Sequence, residues 1–186
     1  MTTLWLVRHG QPRIDPQAPP HVWPLGPDTD EITALRDHLP SGAAWYSSPE
    51  PKALGTARVL TDQAVTVVDD LREAVRPAVW FDDAAQFEAL VRRSVLLPHV
   101  PVAAGWEPAA TTRVRVEAAT RELIAAHTDG DVVAVGHGTA WLLLVSVLTH
   151  QPPDLDAWAA MTMPDLALLD APENGPARLR RHWGQL

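Results

Sequence analysis

At 186 residues the chain is long enough to bury a core of its own and barely long enough for two domains. Its 46% hydrophobic and 20% charged residues exclude disorder as the overall class, and the absence of cysteine excludes disulfide scaffolds, thiolate zinc sites and cysteine nucleophiles. A net charge of −8 argues against a nucleic-acid partner, so any anion must be captured by a local cluster of cations.

Thr3–Arg8 reads as a buried strand that runs into a turn at Gly10. The stretch Pro12–Pro27 carries six prolines and cannot form a regular helix. A loop of that length in a compact domain is usually functional or mobile. Asp28–Leu39 is expected to be a helix stopped by Pro40, and Ala43–Ser47 a second strand. Pro49 at a first helical position opens a helix to about Gln63, with Ala53, Leu54, Ala57 and Leu60 inward. Val65–Val68 is a third strand, followed by a loop over Leu71–Val79. Helical stripes place Asp82–Leu97 and Ala109–His127 as the next two helices, the second carrying Glu117 and Arg121 at i,i+4.

Asp131–Val135 is a fourth strand, and Thr139–Leu148 is a helix apolar nearly all round, hence buried. The stretch Val132–Thr149 has one ionisable group, His137, but Gly136 and Gly138 divide it into pieces too short to cross a bilayer. Leu166–Leu169 and Arg178–Trp183 flank Asn174-Gly175, a hairpin turn. The expected fold is one domain over 1–186: a three-layer α/β/α sandwich with a mostly parallel central sheet and a C-terminal antiparallel hairpin. No basic segment precedes the apolar run Leu4–Val7, so no secretory signal is expected. The expected protein is cytoplasmic, with no membrane partner.

Sites in such sheets form at the carboxyl ends of strands. Three strand ends here carry polar clusters: Arg8-His9-Gly10, Ser47-Ser48-Pro49 and Gly136-His137-Gly138, with Glu73 in the loop after the third strand. Two imidazoles at separate strand ends, one beside an arginine, suit phosphoryl transfer, because an imidazole attacks phosphorus while cations hold the remaining oxygens. No His-Glu-x-x-His or cysteine–histidine spacing occurs, so neither a metal nor a cofactor is expected.

Leu6-Val7-Arg8-His9-Gly10-Gln11, Ser47-Ser48-Pro49 with Thr56-Ala57, Leu71-Arg72-Glu73, and Val135-Gly136-His137-Gly138 occur in an order and spacing that resemble the histidine phosphatase superfamily, the phosphoglycerate mutase-like family. The resemblance covers essentially the whole chain. It implies a metal-free, two-step transfer with His9 as nucleophile, Arg8 and His137 on the phosphoryl oxygens, and Glu73 as proton donor and later base. In the family an arginine in the first turn after Ser-Ser-Pro completes the pocket. That position here is Lys52, the only lysine in the chain. Lysine keeps the charge and loses the planar fork. Asp15 stands where many relatives carry asparagine, and Pro12 where a small hydroxyl residue is common.

Gln11, Arg13 and Trp23 are the expected substrate contacts, and Glu88 and Glu107 are the alternatives to Glu73. The implied partner is a small phosphate ester, with inorganic phosphate or sulfate able to occupy the same site. Three functions fit: a phosphate monoesterase working through phosphohistidine, a mutase returning the phosphoryl group to its substrate, and a degenerate relative that binds phosphorylated ligands without turnover.

Overall fold

The structure is a computed structural model that describes residues 1–77, 81 and 83–185. Its six strands are β1 (Thr2–Arg8), β2 (Ala44–Ser47), β3 (Val65–Val67), β4 (Asp131–Gly136), β5 (Asp165–Ala171) and β6 (Arg178–Arg181). The helices are α1 (Asp30–Arg36), α2 (Pro51–Leu60), α3 (Ala84–Leu96), α4 (Ala109–Ala126), α5 (Gly138–Thr149) and α6 (Leu155–Ala160). The strands form one sheet in the order β3-β2-β4-β1-β5-β6. β3, β2, β4 and β1 run parallel, while β5 and β6 are antiparallel to their neighbours. This is the expected mixed sheet with its C-terminal hairpin.

The period-two pattern of the central strands explains the layers. Leu4 and Leu6 of β1, with Val132 and Ala134 of β4, face a core built with Val116 and Leu123 of α4 and Trp141 and Leu144 of α5. Val7, Val133 and Val135 face the other way, onto Ile32 and Leu35 of α1 and Ala53, Ala57 and Leu60 of α2. A strand buried on both faces reads as a continuous apolar run, as β4 does.

Several boundaries shift for local reasons. α2 begins at Pro51 rather than Pro49, with Glu50 as its N-cap. α1 is shorter at both ends than the expected helix. α3 opens at Ala84, where the Asp83 side chain accepts the Ala85 N–H. Asp82, the expected start of that helix, and Val79, the expected end of the preceding loop, lie outside the described residues. The proline-rich loop contains a short 3-10 turn, Pro20–Val22, and α6 was not signalled by periodicity. Among the described residues no helix is long and apolar enough to cross a membrane.

The order of the sheet places the carboxyl ends of β1, β4 and β2 side by side. Beyond the strands the ladder continues, with His9 N–H donating to Gly136 O at 3.0 Å and Ser48 N–H to Val135 O at 2.9 Å. Trp141, fully buried in the first turn of α5, donates its indole N–H to Val7 O at 2.9 Å. Its ring lies against Gly136 so closely that a Cβ there would stand 2.4 Å from Cζ2. Because the indole is pinned at its nitrogen and walled in by core, it cannot retreat. Gly136→Ala is therefore expected to cost about 1–3 kcal/mol, read as a lower urea midpoint with an unchanged slope. An unshifted midpoint would contradict this packing.

Candidate active site

His9 follows the last residue of β1 and is 6% exposed. Its Nδ1 lies 2.7 Å from the Gly10 carbonyl oxygen, which can only accept, so Nδ1 carries the proton and Nε2 keeps its lone pair. Gly10 is itself held, its N–H donating to Thr56 Oγ1 on α2 at 3.0 Å. Burial holds the His9 imidazole well below the usual 6.5, and the nearby His137, Lys52 and Arg8 add to this against the Gly10 hydrogen bond. His9 is thus a neutral imidazole with its protonated nitrogen fixed by the backbone.

His137 is the N-cap residue of α5 and is fully buried, its ring centroid 5.2 Å from that of His9. Its Nε2 lies 2.7 Å from Ser48 Oγ, an oxygen that also accepts the Glu50 N–H at 3.2 Å. With the Ser48 hydroxyl donating to Nε2, the His137 proton stands on Nδ1. Burial, then Lys52, push the His137 pKa well below 6.5, with Glu73 opposing and Arg76 and Arg115 adding to the fall. Among the described residues Nδ1 of His137 and Nε of Arg8 have no hydrogen-bond partner, although both atoms are buried.

Arg8 ends β1 opposite Asp165 in the antiparallel register. Its Nη1 donates to Met161 O at 2.8 Å and Thr162 O at 3.2 Å. The fully buried Asp165 carboxylate fixes that loop by accepting N–H groups from Thr162, Leu166 and Gly184. Burial lowers the Arg8 pKa, and Glu73 and Asp165 oppose the fall.

Lys52 occupies the first turn of α2 and is 5% exposed, so it does not point to bulk solvent. Its ammonium pairs with the buried Glu50 carboxylate and donates to Pro20 O at 2.7 Å. The single lysine therefore ties α2 to the proline-rich loop. Glu50 was not signalled as a site residue, yet its Oε1 accepts the Glu73 N–H at 2.8 Å and stands 3.5 Å from His137 Nε2.

Glu73 caps α5. Its Oε1 accepts from Ala74 and Ala140 at 2.9 Å each, and its Oε2 from Thr139 at 3.1 Å. Oε2, with a single donor, keeps a lone pair open to a further hydrogen bond. Arg115 of α4 holds the whole loop from beneath, donating to the carbonyls of Asp70, Arg72 and Glu73 at 2.7–2.9 Å and to both oxygens of Glu107. Arg115 was missed, but the sequence carried a signal: an arginine on the stripe of α4 that otherwise buries Thr112, Val116 and Ala119.

One cavity of about 160 Å³ brings Arg8, His9, Lys52, Glu73 and Gly138 together, with Gln11 and Trp23 on its wall. Arg13 and Asp15 are exposed and do not line it, and the Asp15 carboxylate accepts the Gln17 N–H instead of facing an anion. Neither alternative acid belongs to the cavity. Glu88 pairs with Arg92. Burial would raise the Glu107 pKa, but the hydrogen bonds from Arg115 and the Val75 N–H, with the Arg115 charge, outweigh it and hold the carboxyl low. Among the described residues no group of three or more histidine or acidic side chains is placed to hold a metal ion.

The sequence profile of the histidine phosphatase superfamily, branch 1, matches residues 4–181. Among solved structures, the YhfR protein of Bacillus stearothermophilus is similar with a TM-score of 0.78 at 21% identity, covering 100% of this chain and 98% of that one. A mycobacterial glucosyl-3-phosphoglycerate phosphatase is similar with a TM-score of 0.75 at 22% identity, over 98% of both chains. A phosphoserine phosphatase from Entamoeba histolytica, solved with 3-phosphoglyceric acid, gives 0.75 at 17% identity over 98% of this chain and 97% of that one. At these identities the likeness shows the fold alone. No curated protein matches the sequence at a significant level.

The lowered pKa values have a sign that can be checked. The unfolded chain takes protons on His9 and His137 near pH 6.5 while the native chain refuses them, so stability falls as pH drops below that value. Nitrogen NMR of the native protein is expected to show His9 neutral, protonated on Nδ1, at neutral pH and still neutral below pH 6.5. A charged His9 at neutral pH would contradict the site as described.

Proposed function

The chain belongs to the histidine phosphatase superfamily, and from that premise we propose that it is a metal-independent phosphatase of phosphate monoesters that works through a phosphohistidine on His9. The observation that carries this reading is the Gly10 carbonyl on His9 Nδ1, which leaves Nε2 with a lone pair in a cavity shared with Arg8, Lys52 and Glu73.

In the first step His9 Nε2 bonds to phosphorus as the P–O bond to the alcohol breaks. The departing oxygen takes a proton from Glu73 Oε2. Arg8 Nε and His137 Nδ1 meet the phosphoryl oxygens as charge spreads over them. In the second step water bonds to phosphorus, its proton passes to Glu73, and the P–N bond breaks to release inorganic phosphate. Resident cations and neutral donors supply the charge compensation, so the reading needs no metal. The substrate is a small molecule, and the protein acts as a single domain over 1–186 in the cytoplasm.

Lys52 supports a second reading. Its ammonium is already engaged by Glu50 and Pro20 O, which suits a chain that binds phosphorylated ligands without turnover. Phosphate release from p-nitrophenyl phosphate separates the two. A phosphatase hydrolyses the ester equally well with and without chelator, and loses turnover in His9→Ala. Absence of release, or strict dependence on added Mg²⁺ or Mn²⁺, would overturn the first reading.

The contribution of Lys52 is tested separately. Lys52→Ala is expected to slow turnover by about a hundredfold or more, comparable to removing one preorganised donor. The double variant Glu50→Gln/Lys52→Ala controls for the carboxylate bared by the single change. Near wild-type rates in both variants would remove Lys52 from the phosphate site.

A further inference from the structure

Arg76 lies in the loop after β3 and lines two spaces at once: the reaction cavity, and an adjoining chamber of about 450 Å³. The two spaces share Pro20, Lys52 and Glu73 as well as Arg76, so Arg76 stands on the boundary between them. The chamber is walled largely by apolar groups, among them Val22, Pro49, Pro51, Ala74 and Val75. A leaving group that extends from His9 to Arg76 stays within the reaction cavity, whose wall also carries Ile14, Phe87 and Trp158.

The other cations around these spaces are already engaged. Arg8 is held by Met161 O and Thr162 O, Lys52 by Glu50 and Pro20 O, and Arg72 by Asp70 and Asp69 O. Arg76 differs. Its guanidinium sits 4.5 Å from the centre of the Phe87 ring and 5.8 Å from that of Trp106. Among the described residues it makes no hydrogen bond or ion pair. Aromatic faces fix the plane of a guanidinium and leave its edge, with its N–H fork, free to meet a carboxylate.

We propose that Arg76 is a specificity-determining residue that receives a carboxylate on the leaving group, so that the substrates are phosphate monoesters whose alcohol has an apolar body and carries an acid. This rests on the phosphatase reading above. Charge selects a carboxylate over a second phosphate. Glu50 and Glu73 are near enough to support the Arg76 charge against the effect of its burial, and Glu50 repels a dianion more than a monoanion. Both are already committed, Glu73 to three backbone N–H groups and Glu50 to Lys52 and the Glu73 N–H, so neither closes on Arg76.

The test compares 4-carboxyphenyl phosphate with 4-carbamoylphenyl phosphate, which match in shape and differ in charge. The amide withdraws more electron density and makes the intrinsically more reactive ester, so a preference for the acid must come from the protein. The wild type is expected to favour the carboxylate ester in kcat/KM by about tenfold or more, as for one charged hydrogen-bonded contact. In Arg76→Gln the ratio is expected to fall to about one, and in Arg76→Lys part of it to return.

No preference in the wild type, or an equal loss on both esters in Arg76→Gln, would overturn the proposal and leave Arg76 as packing for Phe87 and Trp106. Turnover of p-nitrophenyl phosphate reports the phosphatase reading independently. If no ester is hydrolysed, that reading fails, and calorimetric affinities of the two esters decide the role of Arg76. Tighter binding of the acid, lost in Arg76→Gln, supports the role, and equal affinities refute it.

Discussion

A buried imidazole works as a nucleophile only if it stays neutral and keeps one nitrogen bare, and at His9 both conditions are met by its surroundings. The Gly10 carbonyl takes the proton side of the ring, and burial with neighbouring positive charge keeps a second proton away. The same positive charge that disfavours an imidazolium is what an incoming phosphate dianion would meet. One electrostatic arrangement therefore serves the resting state and the substrate. The arrangement has a cost in acid, where the unfolded chain gains protons that the folded chain does not.

Holding that arrangement is the work of the surrounding scaffold. β4 lies between β1 and β2, so the chain segments leaving these three strands emerge together. The loop that carries Glu73 has no place in the sheet, and it is fixed from two sides instead. Arg115 gathers its carbonyls from α4, and Glu73 returns a carboxylate to the N-terminus of α5, where the side chain of His137 provides no cap. Glu50 then links this loop to Lys52 and the proline-rich segment. Three loops remote in sequence are thus coupled through the buried Glu50 carboxylate, the half-buried Glu73 carboxylate and one lysine.

Much of this was legible in the sequence because the relevant signals are local. Apolar runs ending in Arg8-His9-Gly10 and Gly136-His137-Gly138 mark strand ends by composition alone, and Asn174-Gly175 marks the hairpin whose Gly175 adopts a φ of +97°. The position of Lys52 was legible too, but its engagement was not. Its partners, Glu50 two residues earlier and Pro20 O across a long loop, depend on how the proline-rich segment folds back. Motif reading gives Arg76 and Arg115 no partners for the same reason, since these lie outside the motifs, although Arg115 does stand out on the buried stripe of α4. α6 and the 3-10 turn at Pro20–Val22 are too short for periodicity to register.

The central claim is that His9 attacks through Nε2 because Gly10 holds Nδ1. It is tested most directly by quenching the protein during turnover of a phosphate ester, with nitrogen-15 in its histidines, and locating the phosphoryl group by nitrogen–phosphorus NMR coupling. The account predicts a single phosphohistidine on His9, bonded through Nε2, that is absent from His9→Ala. A phosphoryl group on Nδ1, on another residue, or still present in His9→Ala would contradict it.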